Sequence, residues 1–154
     1  RFKRQIEYCM LPNGTCADMV LQVHGRYDDM TPYDFMAPMG IWFENFSLPV
    51  VLNECLMQSY DGTIRLFPNW PKERAATFRT LRAVGAFLVS AACAKGEVEW
   101  VEVQSEAGGT LEMVNPWKQG ARVMTQSGER TAATDMLALP TQPGETIRLL
   151  PAKP

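Results

Sequence analysis

The sequence predicts an α+β chain, with a helical segment over residues 1–61 followed by an antiparallel β-sandwich over residues 62–154. Three observations carry this. Before Asp61-Gly62, apolar residues recur at steps of three and four, the helical period. After Gly62 they alternate with polar residues in short runs, the strand period. Glycine- and proline-containing pairs punctuate those runs at the intervals expected of tight turns.

The first helix is expected over Phe2 to Leu11, with Phe2, Ile6, Cys9 and Met10 near helical spacing, and Pro12-Asn13-Gly14 stops it. Residues Gly25 to Gly40, broken by Pro32 and Pro38, read as a long irregular loop, a length uncommon without a purpose. A second helix follows. Ser47 is placed to cap it, and Pro49 lies in its first turn, where a missing N–H costs little. Leu48, Val51, Leu52, Cys55 and Leu56 form its stripe, which Val50 and Met57 widen. So apolar a helix needs neighbours on more than one side. The two helices cannot supply them alone, so the first sixty residues read as one part of a larger helical body.

The strands follow in order. Thr63 to Phe67 is short and leads to a turn at Trp70-Pro71. Thr77 to Leu81 alternates, and Val84 to Ala91 follows a short break. Lys95-Gly96 turns the chain into Val98 to Val103, where glutamates alternate with apolar residues and Trp100 is expected in the core. Gly108-Gly109 precedes Thr110 to Val114. Ala121 to Thr125 ends at a turn near Ser127-Gly128, and Pro143-Gly144 introduces Thr146 to Leu150. Six to eight short strands of this kind suggest a sandwich.

Composition narrows the function. The 154 residues are 46% hydrophobic and 21% charged, with a formal net charge of -2, as in an ordinary folded domain. Basic residues are scattered apart from Arg1, Lys3 and Arg4, so no electrostatic footprint for nucleic acid is present. No apolar run has the length a membrane helix needs. The cysteines, Cys9, Cys16, Cys55 and Cys93, form no C-x-x-C pair, and His24 is the one histidine, so neither a metal site nor a cofactor is expected. Cys55 and Cys93 sit in apolar runs and read as buried thiols, whereas the state of Cys9 and Cys16 is open.

The junction carries a specific resemblance. It reads Glu44-Asn45-Phe46-Ser47, then Glu54-Cys55-Leu56-Met57-Gln58-Ser59-Tyr60-Asp61-Gly62, then Thr63-Ile64-Arg65-Leu66-Phe67-Pro68-Asn69-Trp70-Pro71. This resembles the end of the catalytic barrel in glycoside hydrolase family 95, the α-L-fucosidase and α-L-galactosidase family. There a segment of the type Asp-Gly-Asn-Phe-Gly precedes a helix ending in Glu-Met-Leu-Leu-Gln-Ser-His-Asp-Gly and a strand ending in Leu-Leu-Pro-Ala-Leu-Pro. Leu81-Arg82-Ala83-Val84-Gly85-Ala86-Phe87 is similar to that family's Leu-Arg-Ala-Arg-Gly-Gly-Phe. The resemblance runs from about Gly40 to Gly109. It implies that residues 1–61 are the terminal helices of an (α/α)6 barrel and that the sandwich packs on that barrel.

It also implies site residues. Glycoside hydrolysis usually needs two polar groups flanking the bond. Counting back from Asp61-Gly62, the family's catalytic Asp falls on Phe43, a departure from the pattern, while its Asn and Phe fall on Asn45 and Phe46. Glu44 therefore either takes the acid role from a shifted position or is a loop carboxylate near a helix N-terminus. Asn45 either caps the helix or contacts sugar. Trp42, beside Glu44, is the best candidate to stack on a pyranose. His24 either bonds a sugar from the long loop or is structural.

The leading functional expectation is the C-terminal part of a glycoside hydrolase whose sandwich braces the catalytic barrel, inactive on its own. The alternative is a stand-alone carbohydrate-binding or structural module. Expected partners are a glycan, the rest of the barrel and a second copy through the exposed helices, and neither nucleic acid nor membrane. The resemblance implies a periplasmic or extracellular location.

Overall fold

The computed structural model describes the backbone of residues 42–152 and the side chains of residues 49–152. Among the described residues one helix, α1 (Trp42–Leu56), precedes ten strands. These are β1 (Met57–Gln58), β2 (Thr63–Leu66), β3 (Ala76–Ala83), β4 (Phe87–Ala94), β5 (Glu97–Ser105), β6 (Gly109–Val114), β7 (Ala121–Thr125), β8 (Gly128–Ala132), β9 (Met136–Thr141) and β10 (Thr146–Pro151). Backbone contacts divide the chain at Leu52/Asn53, so the last turn of α1 belongs to the β-rich unit.

The strands form a six-stranded sheet in the order β3-β4-β5-β10-β7-β8 and a four-stranded sheet in the order β1-β2-β6-β9. Every neighbouring pair in the larger sheet is antiparallel. In the smaller sheet β2 and β6 run parallel. The inner residues of both sheets share one core. Phe78, Val89, Val101, Val103, Val123 and Leu149 come from the larger sheet, and Met57, Ile64, Leu111, Met113, Leu137 and Leu139 from the smaller. Strict alternation puts every second residue inside, as Leu111 and Met113 of β6 or Leu137 and Leu139 of β9 show.

Two bulges reset that alternation. In β5, Val98 pairs with Cys93 and Trp100 with Ala92, so Glu99 is the extra residue. Val98 and Val101 can then both face inward, and Trp100 faces out. Trp100 is therefore only partly buried and lies outside the core that the sequence assigned it to. In β3, Phe78 pairs with Ala91 and Leu81 with Val89, which displaces Arg79 and Thr80 outward. Thr80 adopts φ 53°, and its N–H is received by Ser90 Oγ at 3.0 Å. Lys95 and Gly96, at φ 54° and 77°, form the two-residue turn between Ala94 and Glu97. Two successive positive φ values match the right-handed twist of the strands they join.

The fold class read from the sequence requires correction. The described residues form a β-rich fold of two sheets with one short helix, not the terminal helices of an α/α barrel followed by a purely antiparallel sandwich. A barrel helix buries its apolar residues against helical neighbours, yet Val50, Val51 and Leu52 are 57%, 40% and 41% exposed. The helix boundaries also shift. It begins at Trp42, so Ser47 does not cap it and Pro49 lies in its interior. It ends at Leu56 because Met57 pairs with Leu66 and enters the sandwich core, which outweighs one more helical turn. The expected helix at Phe2 to Leu11 and the loop Gly25 to Gly40 lie outside the described residues. Strands β8 and β9 escaped the sequence reading altogether.

Candidate functional site

The site residues expected from the sequence are only partly placed. Trp42, Glu44 and Asn45 fall in the opening turns of α1, which puts Asn45 within the helix, and their side chains lie outside the described residues. His24, Cys9 and Cys16 lie outside as well. The remaining tryptophans are structural. Trp117 is buried, and its indole N–H donates to the Val98 carbonyl at 2.6 Å. Trp70 donates to the Arg74 carbonyl at 3.0 Å and closes its own turn. Trp100 carries the Arg79 guanidinium 5.4 Å from its ring centre, a cation–π contact on the outer face of the larger sheet. Tyr60, 74% exposed, is the most exposed aromatic side chain among the described residues, the others being buried or half-buried.

One end of the sandwich holds the junction with α1. Leu56 O accepts the N–H of Phe67 at 2.7 Å, and Gly62 N–H bonds Ser59 O at 2.9 Å. Ser59 Oγ accepts the N–H of Val84 at 3.1 Å, tying this turn to the β3–β4 turn. Asp61 receives both terminal nitrogens of Arg65, at 2.8 and 2.9 Å, together with the N–H of Thr63. The Arg65 hydrogen bond, then that of Thr63, lowers the Asp61 pKa to about 2. Arg82 grips Glu106 in the same forked way and lowers its pKa. A general acid needs a raised pKa, and these two carboxylates are held ionised, so they act as clamps rather than proton donors.

The ends of β5 and β9 are pinned by hydroxyls. Ser105 is 1% exposed. Its Oγ lies 2.8 Å from Thr141 Oγ1 and accepts the N–H of Gly108 at 3.0 Å. Thr141 Oγ1 lies 2.9 Å from the Gly109 carbonyl. Thr141 is the donor to both acceptors, so its one proton is shared between Ser105 Oγ and the Gly109 carbonyl. The pair joins β5 of one sheet to β9 of the other.

A cleft of about 360 Å³ lies where the β7–β8 hairpin meets Pro140 and Glu145. A second, of about 410 Å³, adjoins it beside the β9–β10 turn and shares Ser127, Pro140 and Glu145 with it. Their walls mix polar and apolar surface, and the first is lined by Thr125, Glu129, Arg130, Pro140 and Glu145, of which Glu129 is bonded to Arg122. The sequence marked Ser127-Gly128 and Pro143-Gly144 only as turns, and no spacing signal reveals that the fold brings them together.

Cys93 is a buried free thiol and Cys55 a half-buried one. Burial pushes the Cys93 thiol pKa up, which withholds the reactive thiolate. Among the described residues no three His, Cys, Asp or Glu side chains gather where they could hold a metal ion, and no helix is long and apolar enough to cross a membrane.

No protein-family model matches this chain, and no curated protein matches it either.

Proposed function

We propose that the chain is the C-terminal part of a carbohydrate-active glycoside hydrolase, and that its β-sandwich is a brace holding the end of the preceding helix. The observation that carries this reading is the junction. The chain passes from Leu56 at the helix end straight into the core at Met57, with no linker between them. Four interactions then fix the passage: Phe67 to Leu56, Ser59 to Val84, and the Arg65 and Thr63 bonds to Asp61. Residues 54–71, which carry the strongest resemblance to family 95, are the ones stitched in this way. The reaction would belong to the catalytic domain, outside the cell or in the periplasm, and the sandwich would contribute rigidity. Exposed Val50, Val51 and Leu52 on α1 would favour association with a further apolar surface, either the catalytic domain or a second copy.

A second reading, a carbohydrate-binding module, draws support from the cleft beside Pro140. An aromatic platform is the usual means of holding a sugar face. Here Trp117 is buried, Trp70 closes its own turn and Trp100 carries Arg79 on the outer face, which leaves Tyr60 as a single exposed ring with no second one beside it among the described residues to make a platform. The bracing role is therefore the better supported.

Incubation of the purified chain with aryl-α-L-fucosides and aryl-α-galactosides tests the proposal. A brace gives no turnover, and clear turnover would overturn it. A chain that is simply misfolded is told apart by its thermal transition, which a folded brace retains.

A further inference from the structure

We infer that the cleft between the β7–β8 hairpin and the β9–β10 turn is a saccharide-binding subsite, using Arg130 and Glu145 as its donor and acceptor. This rests on the carbohydrate reading above but not on the bracing role.

The register places the groups. Val123 is fully buried and pairs with Arg130, so the two side chains lie on the same, inner face of the larger sheet. Arg130 is nevertheless exposed, whereas Ala132, two residues on, packs against the core. The smaller sheet thus stops short of Arg130, and β8 overhangs it. The overhang is the roof of the cleft, and Arg130 reaches into it beside Pro140 and Glu145.

The chemistry of the walls selects the ligand. The Arg130 guanidinium has no ion-pair or hydrogen-bond partner among the described residues, leaving five N–H donors to offer. Glu145 accepts the N–H of Gln142 through Oε2 at 2.9 Å, which fixes the carboxylate and leaves Oε1 to accept another bond. On the hairpin side the Thr125 and Ser127 hydroxyls lie 2.8 Å apart and hold each other in place. A phosphate or sulfate would meet Arg130 but be repelled by Glu145 and by Glu129, which Arg122 holds on the same wall, and a cation would meet Arg130 as well as the carboxylates. An apolar ligand could rest on Pro140 and Pro143 but would leave Arg130 and Glu145 facing it without partners. A neutral molecule carrying adjacent hydroxyls satisfies both walls, because each hydroxyl donates to the carboxylate and accepts from the guanidinium. Pro140 offers a small apolar surface to the ring. The two clefts, about 360 and 410 Å³, each exceed one pyranose and adjoin through Ser127, Pro140 and Glu145, so a short oligosaccharide fits across them. Without an aromatic platform the affinity is expected to be millimolar.

The test is an amide-resolved NMR titration of the full chain with methyl α-L-fucopyranoside, methyl β-D-galactopyranoside and cellobiose. Concentrations reach about 50 mM, where a millimolar site saturates. The expected result is saturable shifts confined to amides near Ser127, Arg130, Gly144 and Glu145 for at least one sugar. Arg130→Ala and Glu145→Gln should each weaken binding about tenfold, the loss expected of one charge-assisted hydrogen bond. Arg130 is exposed, and Gln at 145 keeps an acceptor for Gln142, so both variants should melt like the parent chain. No shift at these amides, shifts elsewhere only, or equal shifts with free glycine as a zwitterionic probe would overturn the inference. A silent cleft in a chain whose helix end stays protected from hydrogen exchange removes this inference alone and leaves the brace standing.

Discussion

Replacing Trp117 by phenylalanine probes how the core is closed beside the β5 bulge. The indole is 4% exposed and gives its N–H to the Val98 carbonyl at 2.6 Å. Val98 is the last residue before the bulge, so this bond fixes the strand where its alternation is reset. Phenylalanine removes the donor and leaves a part-buried carbonyl without its partner, which costs about 1–3 kcal/mol. The smaller ring also gives up packing in a site that cannot fully collapse, adding about 1 kcal/mol. We expect a total near 3 kcal/mol. In a unit of this size each kcal/mol moves the midpoint by roughly 4–8 °C, so Tm should fall by more than about 10 °C. Urea denaturation followed by tryptophan fluorescence and calorimetry, compared with wild type, measures it. A change below about 0.5 kcal/mol would refute the reasoning, because it would mean that neither the bond nor the burial exists in solution.

Three further predictions bear on other parts of the fold. Ser105→Ala should cost about 1–3 kcal/mol, because Gly108 N–H and Thr141 lose a buried partner. A double-mutant cycle with Thr141→Val should give a coupling of at least about 0.5 kcal/mol in urea denaturation, and strict additivity would contradict the pairing. Gly120→Ala should destabilise more than Gly109→Ala. Both glycines have positive φ, 97° and 100°, but a Cβ at 120 would lie 2.9 Å from the Ala132 carbonyl, whereas at 109 it meets nothing within 4 Å. The shared φ strain is about 1 kcal/mol, so the excess seen on thermal melting reports the clash. Finally, the folded-state pKa of Asp61, about 2, lies below its ordinary 3.8. A depressed carboxylate stabilises the fold above the ordinary value and loses that contribution as pH falls towards the folded one. Asp61→Asn should therefore flatten the acid limb of the Tm–pH curve between about pH 4 and 2, and an unchanged limb would contradict the Arg65 clamp.

Much of the sandwich was readable because its physics is local. The alternation in Thr110 to Val114 and Thr146 to Leu150 needs only the strand period, and both strands form where it predicts. Lys95-Gly96 and Pro143-Gly144 are legible as turns because Gly96 and Gly144 accept positive φ, 77° and 81°, although Lys95 takes 54° against its own preference. Other parts depend on tertiary context. Glu99 and Thr80 shift the phase of β5 and β3 through bulges, which no composition signals, and so Trp100 moves from the expected core to the outer face. Strand β8, Gly-Glu-Arg-Thr-Ala, has no apolar alternation because its inner face overhangs the smaller sheet. Strand β9 carries Pro140, which argues against a strand but is tolerated at the sheet edge it occupies. The helix end was misjudged because Met57 finds a better environment in the β core than on a helix. The cleft was illegible for the same reason, since Arg130 and Glu145 lie far apart in sequence and meet only through strand order. Glu44, Asn45, Trp42 and His24 were read from a resemblance, and their side chains lie outside the described residues.

The bracing claim is tested most directly by native-state hydrogen exchange at the helix–sandwich junction. The amides of Cys55, Leu56 and Phe67 should exchange only through opening of the whole sandwich, with the same denaturant dependence as Val101 and Leu149 in its centre. Met57→Ala should lower the protection of all of them together. Fast exchange at Cys55 and Leu56, independent of Val101 and Leu149, would show that the helix end frays freely and that the sandwich does not hold it.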